Sequence, residues 1–157
     1  MKFKNYIFFL LIGMLLVACT KEITLKEYMV GSWQTKYINL KMPTYQKSDS
    51  TFVMEDDFSK PNVTLAQSVY NNDGTFTAWY LNPKGVKEQV TTGNWEVKKD
   101  SLYITFEMND IVTEAKYYIE KTEDGFLGKS ADDWDKDGEK DDFLLMKTKR
   151  IELPKEE

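Results

Sequence analysis

The sequence has no histidine, a single cysteine and a single arginine among its 157 residues. The missing imidazole excludes catalytic triads with a histidine base and zinc sites with imidazole ligands. The lone Cys19 excludes a disulfide framework. No glycine-rich phosphate loop and no GxSxG nucleophile elbow occurs in the chain. There is no internal repeat, and no low-complexity tract beyond one acidic stretch near the end. Carboxylates are plentiful, so a carboxylate-pair hydrolase stays open. Sequence does not give their spacing in space, and the expectation is a protein that is not an enzyme.

Long apolar runs are also scarce, and the one that exists stands at the start. Met1–Tyr6 is short and basic, and Ile7–Ala18 is apolar. Spanning a bilayer takes roughly 20 apolar residues, so this run fits a secretory signal core better than a membrane helix. It ends in Leu16-Val17-Ala18-Cys19, which resembles the lipobox of bacterial lipoproteins. The resemblance implies cleavage before Cys19 and lipidation of that cysteine, palmitate included. Residues 1–18 would then be a signal peptide and 19–23 a tether. The alternatives are a plain signal peptide with a chance cysteine, or an uncleaved anchor. The implied place is the bacterial cell envelope. Thr20 is not the aspartate that accompanies inner-membrane retention in enteric bacteria, which points to the outer membrane, on its periplasmic or surface side.

Removing Lys2 and Lys4 from the 21 basic residues leaves 19 against 26 acidic, a net charge of −7. That disfavours nucleic acid, whose binding rests on neutralising phosphates. It also disfavours adhesion to anionic lipid, so acyl chains would have to hold the protein at the membrane.

Thr24 with Glu27 three residues on is a capping-box pattern, and Leu25, Tyr28 and Met29 share a helical face. The spacing predicts one or two helical turns, stopped by Gly31. Beyond it the pattern changes to period two. Leu102, Ile104, Phe106 and Met108 alternate with Tyr103, Thr105 and Glu107, and 111–120 alternates likewise. Asn71-Asn72-Asp73-Gly74, Asn82-Pro83-Lys84-Gly85, Lys98-Lys99-Asp100, Met108-Asn109-Asp110 and Glu123-Asp124-Gly125 read as turns. Strands are expected near 32–41, 63–70, 75–82, 86–97, 101–108, 111–120, 125–130 and 142–150. Such a series with short turns suggests an all-β, eight-stranded antiparallel up-and-down barrel behind a short helix. The long connection 42–62 reads either as a lid-like loop or as holding an extra strand around Thr51–Met54.

A short helix, then Gly31-Ser32-Trp33 opening the first strand, is similar to the calycin arrangement. Asn72-Asp73-Gly74-Thr75-Phe76, Gly93-Asn94-Trp95, Asp100-Ser101-Leu102-Tyr103-Ile104 and the closing Phe143–Arg150 fit the same pattern. Together they resemble the lipocalin-like domains of bacterial lipoproteins over about 23–151. A domain at 24–151, followed by a charged tail at 152–157, is therefore expected. The resemblance implies that Trp33 lies beneath Arg150 at a closed barrel end, as a structural pair. A planar guanidinium on an indole is a role that lysine fills poorly.

An eight-stranded interior is either filled by side chains or holds one small ligand. On the parity of Trp33 the first strand offers Thr35, Tyr37 and Asn39. Thr75, Thr77, Trp79 and Leu81 share another face, as do Val63, Leu65, Gln67 and Val69. With Ile104, Phe106, Ala115, Tyr117, Leu144 and Met146, these could line an amphipathic pocket. Thr35, Tyr37, Asn39, Trp79, Phe106, Tyr117 and Met146 are the candidate ligand contacts. The same residues could equally be core.

The acidic stretch is ADDWDKDGEKDDF, 131–143. Asp133, Asp135 and Asp137 stand at positions 1, 3 and 5 of a calcium loop, Gly138 at 6, Glu139 at 7 and Asp141 at 9. Position 12 is Leu144 instead of a bidentate glutamate, with Asp142 a substitute from another place. A weak calcium site and a solvated acidic hairpin tip both remain open. Two functions follow as expectations for a monomer. One is a lipid-anchored envelope protein that binds or carries a small hydrophobic or amphipathic ligand. The other is an interaction module with a filled barrel, which meets a protein or glycan through its loops.

Overall fold

The capping box forms. The Thr24 hydroxyl accepts the Glu27 amide at 3.2 Å, and the Glu27 carboxylate accepts the Thr24 amide at 2.9 Å. This starts helix α1, Leu25–Met29. Gly31 then turns the chain at φ +132°, a conformation that other residues adopt with strain. In this computed structural model the described residues are 22–108 and 111–154. The expected signal segment 1–18 and Cys19 lie outside them, as do Asn109, Asp110 and the last residues of the tail.

Nine strands follow: β1 Gly31–Met42, β2 Phe52–Asp56, β3 Leu65–Tyr70, β4 Thr75–Leu81, β5 Lys87–Lys98, β6 Ser101–Met108, β7 Ile111–Lys121, β8 Phe126–Asp132 and β9 Asp142–Ile151. From β3 onward each strand pairs antiparallel with the next, and β9 returns to pair with β1. The result is a closed, eight-stranded, lipocalin-like up-and-down barrel with one short helix. The eight strands legible from alternation are these barrel strands, with shifted ends.

β2 is the extra strand left open for the 42–62 segment, preceded by a single 3-10 turn at Tyr45–Lys47. β1 is long enough to serve two partners on one side. It pairs with β3 from Gly31 to Gln34, then with β2 from Ile38 to Met42.

Antiparallel alternation sends successive connections to opposite ends. The turns 71–74, 99–100 and 122–125 lie at the end where α1 sits, and the loops 43–51, 82–86 and 133–141 lie at the other. The α1 end is sealed. Trp33, Met29, Phe126 and Leu102 are fully buried there, and the Trp33 and Phe126 rings meet edge-on at 4.9 Å. The Trp33 indole N–H donates to the Met29 carbonyl at 2.9 Å. Arg150, opposite Trp33 in the β1–β9 register, lays its guanidinium over the indole at 4.1 Å. It also donates to the carbonyls of Val30, at 2.9 Å, and Tyr28. The absence of a side chain at Gly31 makes room for it: a Cβ there would lie 2.3 Å from the guanidinium.

Candidate functional site

Above this plug the barrel is not filled. A cavity of about 540 Å³ opens toward the end opposite α1, within the size range of small-molecule sites. Its deep wall is apolar, built from Trp33, Phe76, Ile104 and Phe126, and Leu144 and Met146 continue it along β9. Small side chains leave the space: Ala66 and Ser68 on β3, Ala78 on β4 and Ala115 on β7 all face it.

Five of the expected contacts, Thr35, Trp79, Phe106, Tyr117 and Met146, are walls of the cavity. Tyr37 and Asn39 are not. A β-bulge between Thr35 and Tyr37 shifts the register against β9 and brings Ile38 inward, opposite Met146. Tyr37 is left facing the other way, where its hydroxyl donates to Glu55 at 2.8 Å and Lys147 rests over its ring at 4.9 Å.

The expected faces of β3 and β4 are corrected too. Thr75, Thr77, Leu81, Val63, Leu65 and Val69 are not walls, while Phe76, Ala78, Tyr80, Ala66, Ser68 and Tyr70 are. The inward parity combines aromatic rings with the small Ala66, Ser68 and Ala78, which leave space between those rings. Trp79 and Gln67 join the walls from the opposite parity, beside the place where β1 exchanges β3 for β2. The Trp79 indole donates to Gln67 at 3.1 Å, and the Gln67 amide donates to Gln34 at 3.1 Å.

Two tyrosines on the walls are held neutral. Burial pushes the Tyr117 phenol up to about 12, and the charge of Asp132 adds to the shift. Burial raises Tyr70 as well. Asp56 is the one charged residue on the walls. Its carboxylate accepts the Phe58 amide at 2.7 Å and has no lysine or arginine partner among the described residues. No sequence signal marked Asp56 or Phe58, because they reach the cavity only through the pairing of β2 with the far half of β1.

The acidic loop lies over the open end. Trp134 turns inward from it to become a wall residue, its ring 6.4 Å from that of Tyr117. Its indole N–H is buried without an acceptor among the described residues. The carboxylates on either side of Trp134 fold the loop around backbone amides. Asp133 accepts from Asp137 and Gly138, both at 2.9 Å, and Gly138 makes the turn at φ +100°. Asp135 also reaches across to the Gln46 amide at 2.6 Å, Asp137 to the Lys47 amide at 3.2 Å, and Asp141 to the Thr44 hydroxyl at 3.1 Å. The loop is thereby fastened to the 3-10 turn after β1.

Among the expected metal ligands, Asp133 and Asp135 come together, and Asp142 joins them. One carboxylate oxygen from each lies within 4.8 Å of the others. Asp137 and Asp141 are engaged toward 44–47 and stand outside this group, as does Glu139. Asp142 is 2% exposed, and it accepts the amides of Trp134 at 2.6 Å and Asp135 at 3.2 Å. Three carboxylates are a hard-oxygen donor set that fits calcium in kind, although calcium takes about 6–8 oxygens and these supply only part of them.

No protein-family model and no curated protein matches the sequence. Among solved structures, an uncharacterized protein from Bacteroides eggerthii is similar, with a TM-score of 0.45 and 15% identity over 78% of this chain and 99% of that one.

Proposed function

We propose that this protein is a lipid-anchored, lipocalin-like protein of the bacterial envelope that binds or carries a small hydrophobic or amphipathic ligand in its barrel. The observation that carries the reading is the 540 Å³ cavity, whose walls are largely apolar with a few polar side chains among them. A barrel serving only as a scaffold gains by filling its interior, because every void forfeits packing contacts. Four small residues facing one space instead keep it open.

The direction of Trp134 also supports a ligand site. An interaction module would present its loop aromatics to solvent, whereas Trp134 turns into the barrel. One observation favours that second reading. Val86, Val90, Ile111 and Val112 flank the open end with more than half of each side chain exposed, at 53, 57, 57 and 68%. Exposed apolar residues at this end suit contact with a protein partner.

The experiment is native mass spectrometry of residues 20–157 purified from cells, with and without a calcium chelator. An added mass of roughly a few hundred daltons, the size such a cavity admits, supports the ligand-carrying reading. A bare polypeptide that stays bare with added lipid and calcium favours the interaction module. A calcium-sized increment that disappears with chelator and in Asp135→Ala would identify the acidic loop as a calcium site. The anchor is tested separately: fatty-acid labelling of the full chain should be lost in Cys19→Ser.

A further inference from the structure

The charge of the cavity narrows the class of ligand. No lysine and no arginine is among its walls, and Asp56 is their single ionised group. A site built for a fatty acid or another anionic amphipath needs a cation or several strong donors where the head group rests. Here the corresponding place offers a carboxylate. One Asp56 oxygen is engaged by the Phe58 amide, and no basic side chain among the described residues neutralises the group.

The loop above the barrel carries the same sign. Two described cations lie against wall residues: the Lys87 ammonium stands over the Trp79 ring at 4.4 Å, and Arg150 covers Trp33 at the sealed end. The acidic stretch over the mouth has seven acidic residues against two lysines between Asp132 and Asp142. This adds negative potential at the end of the barrel that Trp134 lines. The walls that Asp56 shares include aromatic and soft residues: Phe58 two residues on, Met54 two residues back on the same face of β2, and, elsewhere on the walls, Tyr80 on β4. Aromatic faces and a carboxylate together recognise a positively charged nitrogen.

We infer that the cavity takes a cationic amphipath, with its apolar part on the Trp33–Phe126 floor and an amine or quaternary ammonium head at Asp56. Anionic amphipaths of the same chain length are rejected, since their head groups would be desolvated beside an unneutralised carboxylate. This rests on the ligand-carrying reading above, but it can fail while that reading stands.

The test uses three probes of one chain length: decyltrimethylammonium, decanol and decanoate. Each is titrated against residues 20–157 at physiological salt and followed by tryptophan fluorescence and calorimetry. The expected order is ammonium tightest, alcohol intermediate and carboxylate weakest, with about tenfold or more between the first and last. Decanol should displace the ammonium probe competitively, which places both in the cavity and not on the acidic surface. Asp56→Asn should bring the ammonium affinity down to that of the alcohol and leave the alcohol unchanged.

Decanoate binding as tightly as the ammonium probe overturns the inference while preserving the ligand-carrying reading. So does an unaltered preference in Asp56→Asn, or an ammonium probe that decanol cannot displace. Failure of all three probes to bind overturns both. The comparison of the three probes needs only the natural protein, so it decides the matter even if the variant does not fold.

Discussion

The two ends of this barrel solve opposite problems with similar residues. At the closed end, Trp33 is engaged on several sides and also floors the cavity. Its ring packs on Phe126, its N–H meets the Met29 carbonyl, and the Arg150 guanidinium covers its face. At the open end, Trp134 also turns inward to the cavity, but its N–H meets no acceptor among the described residues. The closed end is bound through sheet partners and packed rings. The open end is held by carboxylates on loop amides. Both tryptophans border the cavity, one as its packed floor and the other at the loop end, and their neighbours set the difference.

The largest effect should come from breaking the sealed end. Trp33→Ala removes the ring on which α1, Phe126 and Arg150 converge and should cost about 3–5 kcal/mol, as large-to-small changes at buried aromatics do. Urea unfolding monitored by circular dichroism measures it, and a loss below about 1 kcal/mol would mean that the plug is not what holds the barrel together. A smaller loss is expected at the open end from Asp142→Ala. That variant leaves two loop amides without their acceptor, at a cost of about 2 kcal/mol. Hydrogen exchange should speed up at the Trp134 and Asp135 amides and leave Trp33 unaffected.

Alkali sharpens the contrast. The Tyr117 phenol is raised from 10.0 to about 12, so the folded state holds its proton more tightly than the unfolded one. Its stabilising contribution is complete below pH 10 and is lost as pH rises through about 12. The loss should be roughly 1–2 kcal/mol, less than the full shift implies because the ring borders a space that water can enter. Unfolding midpoints measured with tyrosinate absorbance across this range test it; a flat profile would show Tyr117 to be solvated. The smallest stability change is expected from Ala115→Leu. Added methylenes at a packed site cost about 1–3 kcal/mol, but here they project into the cavity, so the change should stay under about 1 kcal/mol while decanol binding is lost. Retained binding would place the ligand elsewhere.

The strands were legible because each is a local pattern. The alternation of 101–108 and 111–120 and the Asp73-Gly74 turn need no distant partner to be recognised. The pairing of Trp33 with Arg150 was implied by the resemblance to lipocalin-like domains, and the β1–β9 register sets the two opposite one another. The candidate site was only partly legible. Alternation counted from Trp33 fails after Thr35, since a bulge is an insertion relative to a partner strand and leaves no mark in its own sequence. On β3 and β4 each parity carries plausible interior residues, so hydrophobicity alone chose the wrong face. Asp142 was set aside because loop position, counted along the chain, placed it outside a calcium loop, whereas the β8–β9 register brings it to Asp133 and Asp135.

By itself, then, the sequence determined the all-β class, the number of barrel strands, the net negative charge and the lack of imidazole chemistry. All of these follow from composition or from periodicity over a few residues. The tertiary structure decided which faces look inward, that β2 takes over from β3 beside β1, and that small residues from three strands meet around one space. It also decided that an unneutralised carboxylate stands at the edge of that space. Volume and electrostatic environment are properties of the residues that surround a point, and in a closed barrel those come from strands far apart in the chain.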